Sequence, residues 1–108
     1  MLIIEPIPIA PINPLDCLSK AKVLEQCRYV AATAPDPVET FYRQAAQRDD
    51  HVVSADFDRL VCPFLPICDP IVNKQIVKQD ATHLTAAFAT SIAPAVNAYL
   101  KQIGVIPR

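Results

Sequence analysis

Asp80 and His83 are the side chains of this sequence whose types and spacing could move a proton. They stand three residues apart in Gln79-Asp80-Ala81-Thr82-His83-Leu84-Thr85, just ahead of the longest apolar-periodic segment. At that spacing a carboxylate can bond one imidazole nitrogen and fix the tautomer. The other nitrogen then faces outward as a general base, which is the acid-and-base half of a hydrolase-type triad. The same spacing also serves a plain helix cap next to a solvated imidazole. A metal site built from His51, His83 and a carboxylate such as Asp56 or Asp80 has no recognisable ligand spacing behind it, and no cofactor motif is present.

The second chemistry is that of the cysteines. Cys17, Cys27, Cys62 and Cys68 fall into two close pairs with nine and five residues between partners. Neither gap is that of a zinc knuckle. Of the three ways to pair them, Cys17–Cys27 with Cys62–Cys68 staples one Pro-bearing irregular stretch each, and each short bridge would stabilise by about 2–3 kcal/mol. The alternative is four reduced, buried thiols in a reducing compartment.

The elements that must position these residues follow from pattern. Leu2 to Ile9 is an apolar run in which Pro6 and Pro8 confine a strand to about the first four residues. Pro11 to Pro14 reads as non-helical, Asp16 as the start of a loop carrying Cys17, and Ser19 to Tyr29 as a short helix with Ala21, Leu24 and Cys27 inward. Asp36-Pro37-Val38-Glu39 combines a side-chain cap, a proline at the first helical position and a capping-box Glu, so a helix starts there. Its stripe is Val38, Phe41, Tyr42, Ala45 and Ala46, with Arg43, Gln44 and Gln47 toward water, and it ends near Asp49-Asp50. His51 to Asp56 reads as a strand, and a helix between two strands is the unit of a parallel α/β sheet.

Arg59 to Pro70 reads as a loop clamped by Cys62 and Cys68. Ile71 to Lys78 is an edge strand or hairpin turning at Asn73-Lys74. The final helix is expected to be capped by Thr82 or Asp80 and bent at Pro94. Its apolar stripe is Leu84, Ala87, Phe88, Ile92, Ala95, Val96, Tyr99, Leu100 and Ile103, closed by Gly104 with Pro107 beyond. Arg28 could pair with a carboxylate in the loop, a solvated surface charge being the commoner outcome, and Tyr29, Tyr42 and Tyr99 read as core residues with wet hydroxyls.

Composition bounds the class. The 108 residues are enough for one domain, and 52% hydrophobic with 19% charged is globular. Ten basic against eleven acidic residues, with no basic cluster, gives no sign of a nucleic-acid partner. No continuously apolar window reaches the ~18 residues of a membrane span. Residues 1–6 lack a basic n-region and a cleavage site and do not read as a signal peptide. Disulfides without an export signal point to a piece of a longer polypeptide.

Five features together resemble one family: Asp16-Cys17-Leu18, Cys27-Arg28, the strand ending at Asp56, the C-P-x-x-x-x-C run from Cys62 to Cys68, and D-x-x-H-L-T from Asp80 to Thr85. They are similar to the C-terminal half of the SGNH domain that is fused to membrane-bound acyltransferase-3 (OafA-like) O-acetyltransferases. The resemblance covers nearly the whole chain. It implies an α/β fold, part of a flavodoxin-like three-layer α/β/α sandwich, with residues 1–108 as a single partial domain. It also implies an extracytoplasmic location, an acyl donor, a cell-surface glycan acceptor, and a membrane acyltransferase domain upstream in the same polypeptide.

By the resemblance, His83 is the general base for a serine nucleophile and Asp80 orients it. The family's Gly-Asp-Ser block and its oxyanion-hole Gly and Asn have no counterpart here. The only glycine is Gly104, and Ser19, Ser54 and Ser91 lie in no such context. Asn73-Lys74 stands where the family has Asp-Gly. The 108 residues alone are therefore expected to be inactive, with an unpaired sheet edge and part of the long helix's stripe exposed. The alternative class is a disulfide-stapled binding or assembly module without catalysis.

Overall fold

The computed structural model describes residues 1–32 and 34–107. Strand β1 (Leu2–Ile4) and strand β3 (Val53–Ala55) pair in parallel, in the register Leu2↔Val53, Ile3↔Ser54, Ile4↔Ala55. Helix α2 (Pro37–Arg48) lies between them in sequence. A second pair is antiparallel, β2 (Tyr29–Val30) with β4 (Ile67–Cys68), and a third is the hairpin β5 (Ile71–Val72) with β6 (Gln75–Ile76). Helices α1 (Pro14–Lys20), α3 (Asp58–Val61) and α4 (Ala86–Gln102), and a 3₁₀ turn at Leu24–Cys27, complete a small mixed α/β chain with short strands.

Several local rules act as expected. Asp36 Oδ1 accepts the Glu39 N–H at 2.8 Å and Pro37 opens α2. Asn73 and Lys74 both take positive φ, 51° and 64°, the twist that a two-residue hairpin turn requires. Gly104, at φ 81°, ends α4 in a Schellman arrangement. Val105 N–H bonds the Leu100 carbonyl at 3.0 Å and Gly104 N–H that of Lys101 at 3.2 Å. Both disulfides pair as read, Cys17–Cys27 and Cys62–Cys68, with Cα separations of 5.8 and 4.8 Å.

Other expectations fail for physical reasons. Pro11–Pro14 and Asp16 do not form one loop. Asn13 Oδ1 accepts the Leu15 N–H at 2.9 Å, Pro14 sits at the first helical position, and Cys17 lies inside α1. The helix expected over Ser19–Tyr29 is split by an extended Ala21 and continues only as the 3₁₀ turn. The Arg59–Pro70 stretch carries most of α3 and all of β4. Of the two readings for Arg28, the structure has the pairing with a loop carboxylate, Asp69.

The inward face of α2 is also different from its apolar stripe. Phe41 is 66% exposed and Val38 48%. Arg43 turns inward instead, bonding Glu5 Oε1 through Nε at 3.0 Å and Nη2 at 2.8 Å, while Ser54 Oγ donates to Glu5 Oε2 at 2.9 Å. Glu5 is 4% exposed. A buried carboxylate must be paired, and its demand outweighs the burial of one aromatic ring.

The core is small. Ala31, Val61, Val77, Phe88, Ile92 and the Cys62–Cys68 bridge form one buried cluster, flanked by Tyr29, Leu60, Leu84 and Val96. Phe57 stacks edge-on against Tyr99 of α4 at 5.6 Å. Of the α4 stripe only Phe88 and Ile92 are buried, and Ala87 and Ala95 face out. The radius of gyration is 15.0 Å, against the ~13 Å of a fully compacted domain of this length.

β1 borders β3 on one side only. Val53 N–H bonds the Met1 carbonyl and Glu5 N–H the Ala55 carbonyl, both at 2.9 Å. Backbone alternation turns the N–H and C=O of Leu2 and Ile4 to the other side, where no strand pairs among the described residues.

Candidate functional site

The site is a tight turn between β6 and α4, and it is closed from both ends. Lys78 and Leu84 form an isolated antiparallel bridge, and Gln79 N–H bonds the His83 carbonyl at 3.0 Å. Beyond it Thr85 N–H bonds the Val77 carbonyl at 2.9 Å, and Thr85 Oγ1 caps α4 by accepting the Phe88 N–H at 3.1 Å. The expected caps Thr82 and Asp80 do not serve α4, because the Asp80 carboxylate is already committed inside the turn.

Asp80 Oδ1 accepts the Thr82 N–H at 2.9 Å and the His83 N–H at 2.7 Å. Both Asp80 carboxylate oxygens stand 3.0 Å from His83 Nδ1. These contacts assign the Nδ1–H tautomer to a neutral ring, since an ionised carboxylate only accepts. Nε2 is then the basic nitrogen. The His83 side chain is 70% exposed and that of Asp80 43%, so the ring is open to approach. The two backbone N–H donors, and then the ring, hold the Asp80 carboxyl down at about 2. Asp80 is therefore ionised wherever His83 can act as a base.

What the dyad lacks is equally clear. Ser19 Oγ donates to the Asp16 carbonyl, Ser54 Oγ to Glu5 and Ser91 Oγ to the Phe88 carbonyl. Among the described residues the one hydroxyl touching the ring is Thr82 Oγ1, 3.0 Å from Nδ1, on the nitrogen that faces Asp80. His51 lies apart from the dyad, its N–H bonded to Asp49. Among the described residues no three His, Cys, Asp or Glu side chains are grouped to hold a metal, so nothing supports the His51–His83 metal reading.

A cavity of about 330 Å³ does exist, lined by residues that include Arg43, Asp56, Asp58 and Arg59, but neither Asp80 nor His83 borders it. Asp58 Oδ1 is buried there with no hydrogen-bond partner among the described residues. Burial, then Asp56 and Glu39, push the Asp58 carboxyl up to about 6.

Two groups escaped sequence reasoning. One is the Glu5–Arg43 pair, whose signal was a lone acid inside an apolar run. The other is Lys78, 1% exposed, whose Nζ donates to Tyr29 Oη at 2.9 Å and to the carbonyls of Pro8 and Ala81. The Tyr29 hydroxyl thus accepts from Lys78, and burial pushes its phenol up to about 12.

No family model, curated protein or solved structure matches the chain.

Proposed function

We propose that His83, oriented by Asp80, is the general base of an SGNH-type serine acyltransferase or esterase that handles O-acyl groups of a cell-surface glycan. The carrying observation is the Asp80 carboxylate seated on Nδ1 at 3.0 Å with Nε2 on the open side of an exposed ring. That arrangement suits a base that takes a hydroxyl proton during attack on an acyl carbon and returns it to the leaving oxygen. The nucleophile and the oxyanion donors come from polypeptide outside these 108 residues, and with them an acyl donor, a glycan acceptor and a membrane acyltransferase domain as partners. The two disulfides fit an extracytoplasmic, oxidising compartment.

The test joins the chain to the polypeptide encoded directly upstream of it and follows hydrolysis of p-nitrophenyl acetate. The 108 residues alone are expected to show no burst of acylation. In the joined protein His83→Ala should lower kcat/KM by roughly a thousandfold or more. A rate untouched by that substitution sinks the reading and leaves the alternative, a stapled non-catalytic binding module whose Asp80 merely closes a turn; the two disulfides and the Asp80 backbone bonds favour that second reading.

A further inference from the structure

Lys78 is a buried cation with no carboxylate within ion-pair distance among the described residues. Apolar side chains would fill the same space at less cost in desolvation. Its three ammonium donors are nevertheless all used: one on the Pro8 carbonyl, one on Tyr29 Oη at 2.9 Å and one on the Ala81 carbonyl at 3.4 Å. The Tyr29 ring also lies 5.3 Å from Nζ, within cation–π range.

These three acceptors come from three separate stretches. Pro8 belongs to the segment leaving β1, Tyr29 to β2, and Ala81 to the turn, next to Asp80. The Ala81 carbonyl also accepts the Ala10 N–H at 3.0 Å, so the turn is moored to the β1 exit by two donors on one oxygen. The Lys78 backbone closes the same turn through its bridge to Leu84. A single residue therefore grips the Asp80–His83 turn from its stem and from beneath. The ionisable groups facing it are Tyr29, Asp58 and Asp80, and burial outweighs the two carboxylates in bringing the ammonium down to about 8.

We propose that Lys78 is a positioning residue for the dyad: its ammonium pins the Ala81 carbonyl to the β1 exit and so holds the Asp80 carboxylate against His83 Nδ1. The geometric statement stands without any catalytic role; only its consequence for rate rests on the function proposed above.

The experiment compares the wild type with Lys78→Met by solvent-exchange NMR, following the Thr82 and His83 amides, the His83 Nδ1–H signal, and the Ile92 amide as a reporter of the core. The expected result is at least about tenfold faster exchange at Thr82 and His83 relative to Ile92, with loss of the low-field Nδ1–H signal. Uniform acceleration at all three amides with the ring signal intact overturns the proposal, and so does no change. If Lys78→Met does not fold, Tyr29→Phe removes one acceptor and carries the same comparison, with a smaller shift in the same direction. In the joined protein Lys78→Met should lower kcat with KM unchanged. A local NMR change beside a catalytic rate that His83→Ala leaves intact would refute the acyl-transfer function while leaving the mooring in place.

Discussion

Folding stability should rise with pH across the window where most proteins begin to lose it, and Lys78 is the reason. Its ammonium falls from an ordinary 10.5 to about 8 in the folded chain, because burial disfavours the charge. A lowered lysine destabilises the fold while protonated, and the penalty fades as pH rises from the folded value toward the unfolded one. In that interval the unfolded chain binds the extra proton, so stability climbs with pH. Linkage over a shift of this size gives a gain of roughly 1 kcal/mol from pH 7 to pH 9 and about 2–3 kcal/mol by pH 10. Tyr29 opposes it: a phenol raised to about 12 contributes stability that starts to be lost near the unfolded value of about 10. That term is the smaller one at pH 10, under about 1 kcal/mol, so the net change is still a gain there and levels off beyond it. Urea denaturation at pH 7, 8, 9 and 10, with both disulfides intact, reads the effect directly. Lys78→Met should flatten the profile, because the apolar side chain carries no proton to lose. A wild-type profile that is flat or falls from pH 7 to 9, or a Lys78→Met profile that keeps the rise, would refute the assignment of a buried, depressed ammonium.

Three further outcomes are expected. Thr85→Ala removes both the cap on the Phe88 N–H and the bond from Oγ1 to the Ile76 carbonyl, and should cost about 1–2 kcal/mol in urea titration, whereas Thr85→Ser should cost far less. Arg43→Met leaves the Glu5 carboxylate buried with Ser54 as its remaining side-chain partner, at a cost of about 2 kcal/mol, below that of a fully buried pair because the guanidinium stays partly exposed; Glu5→Gln in the same background should recover part of it. In the joined protein Asp80 should contribute no ionisation to kcat/KM above pH 4, since it stays ionised down to about 2; an ionisation above pH 4 that disappears in Asp80→Asn would contradict this.

What could be read from sequence was what is local. The Asp36-Pro37 start of α2, the Asn73-Lys74 turn and the Gly104 stop each depend on a residue's own backbone preference, and the structure places all three where those preferences put them. The Asp80–His83 contact was legible for the same reason, because three residues of turn are enough to bring the groups together. The cysteine pairing was legible because short loops limit the choices. Distant pairings left almost no trace. The Glu5–Arg43 pair spans 38 residues and overrides the helix's apolar stripe, and the Lys78 contact with Pro8 spans 70. Strand alternation would have sent Lys78 to water, but the hairpin is too short to impose it and Val77 and Lys78 are both buried. Thr85 was displaced as the expected cap by Asp80 and Thr82, which score well by type but are occupied within the turn.

The bare flank of β1 bears on how the protein behaves when crowded. Leu2 and Ile4 are 37% and 56% exposed, and the amides beside them offer a ready ladder to any neighbour in extended conformation. A lysine in place of Ile4 would put a charge on that flank and keep copies from stacking along it.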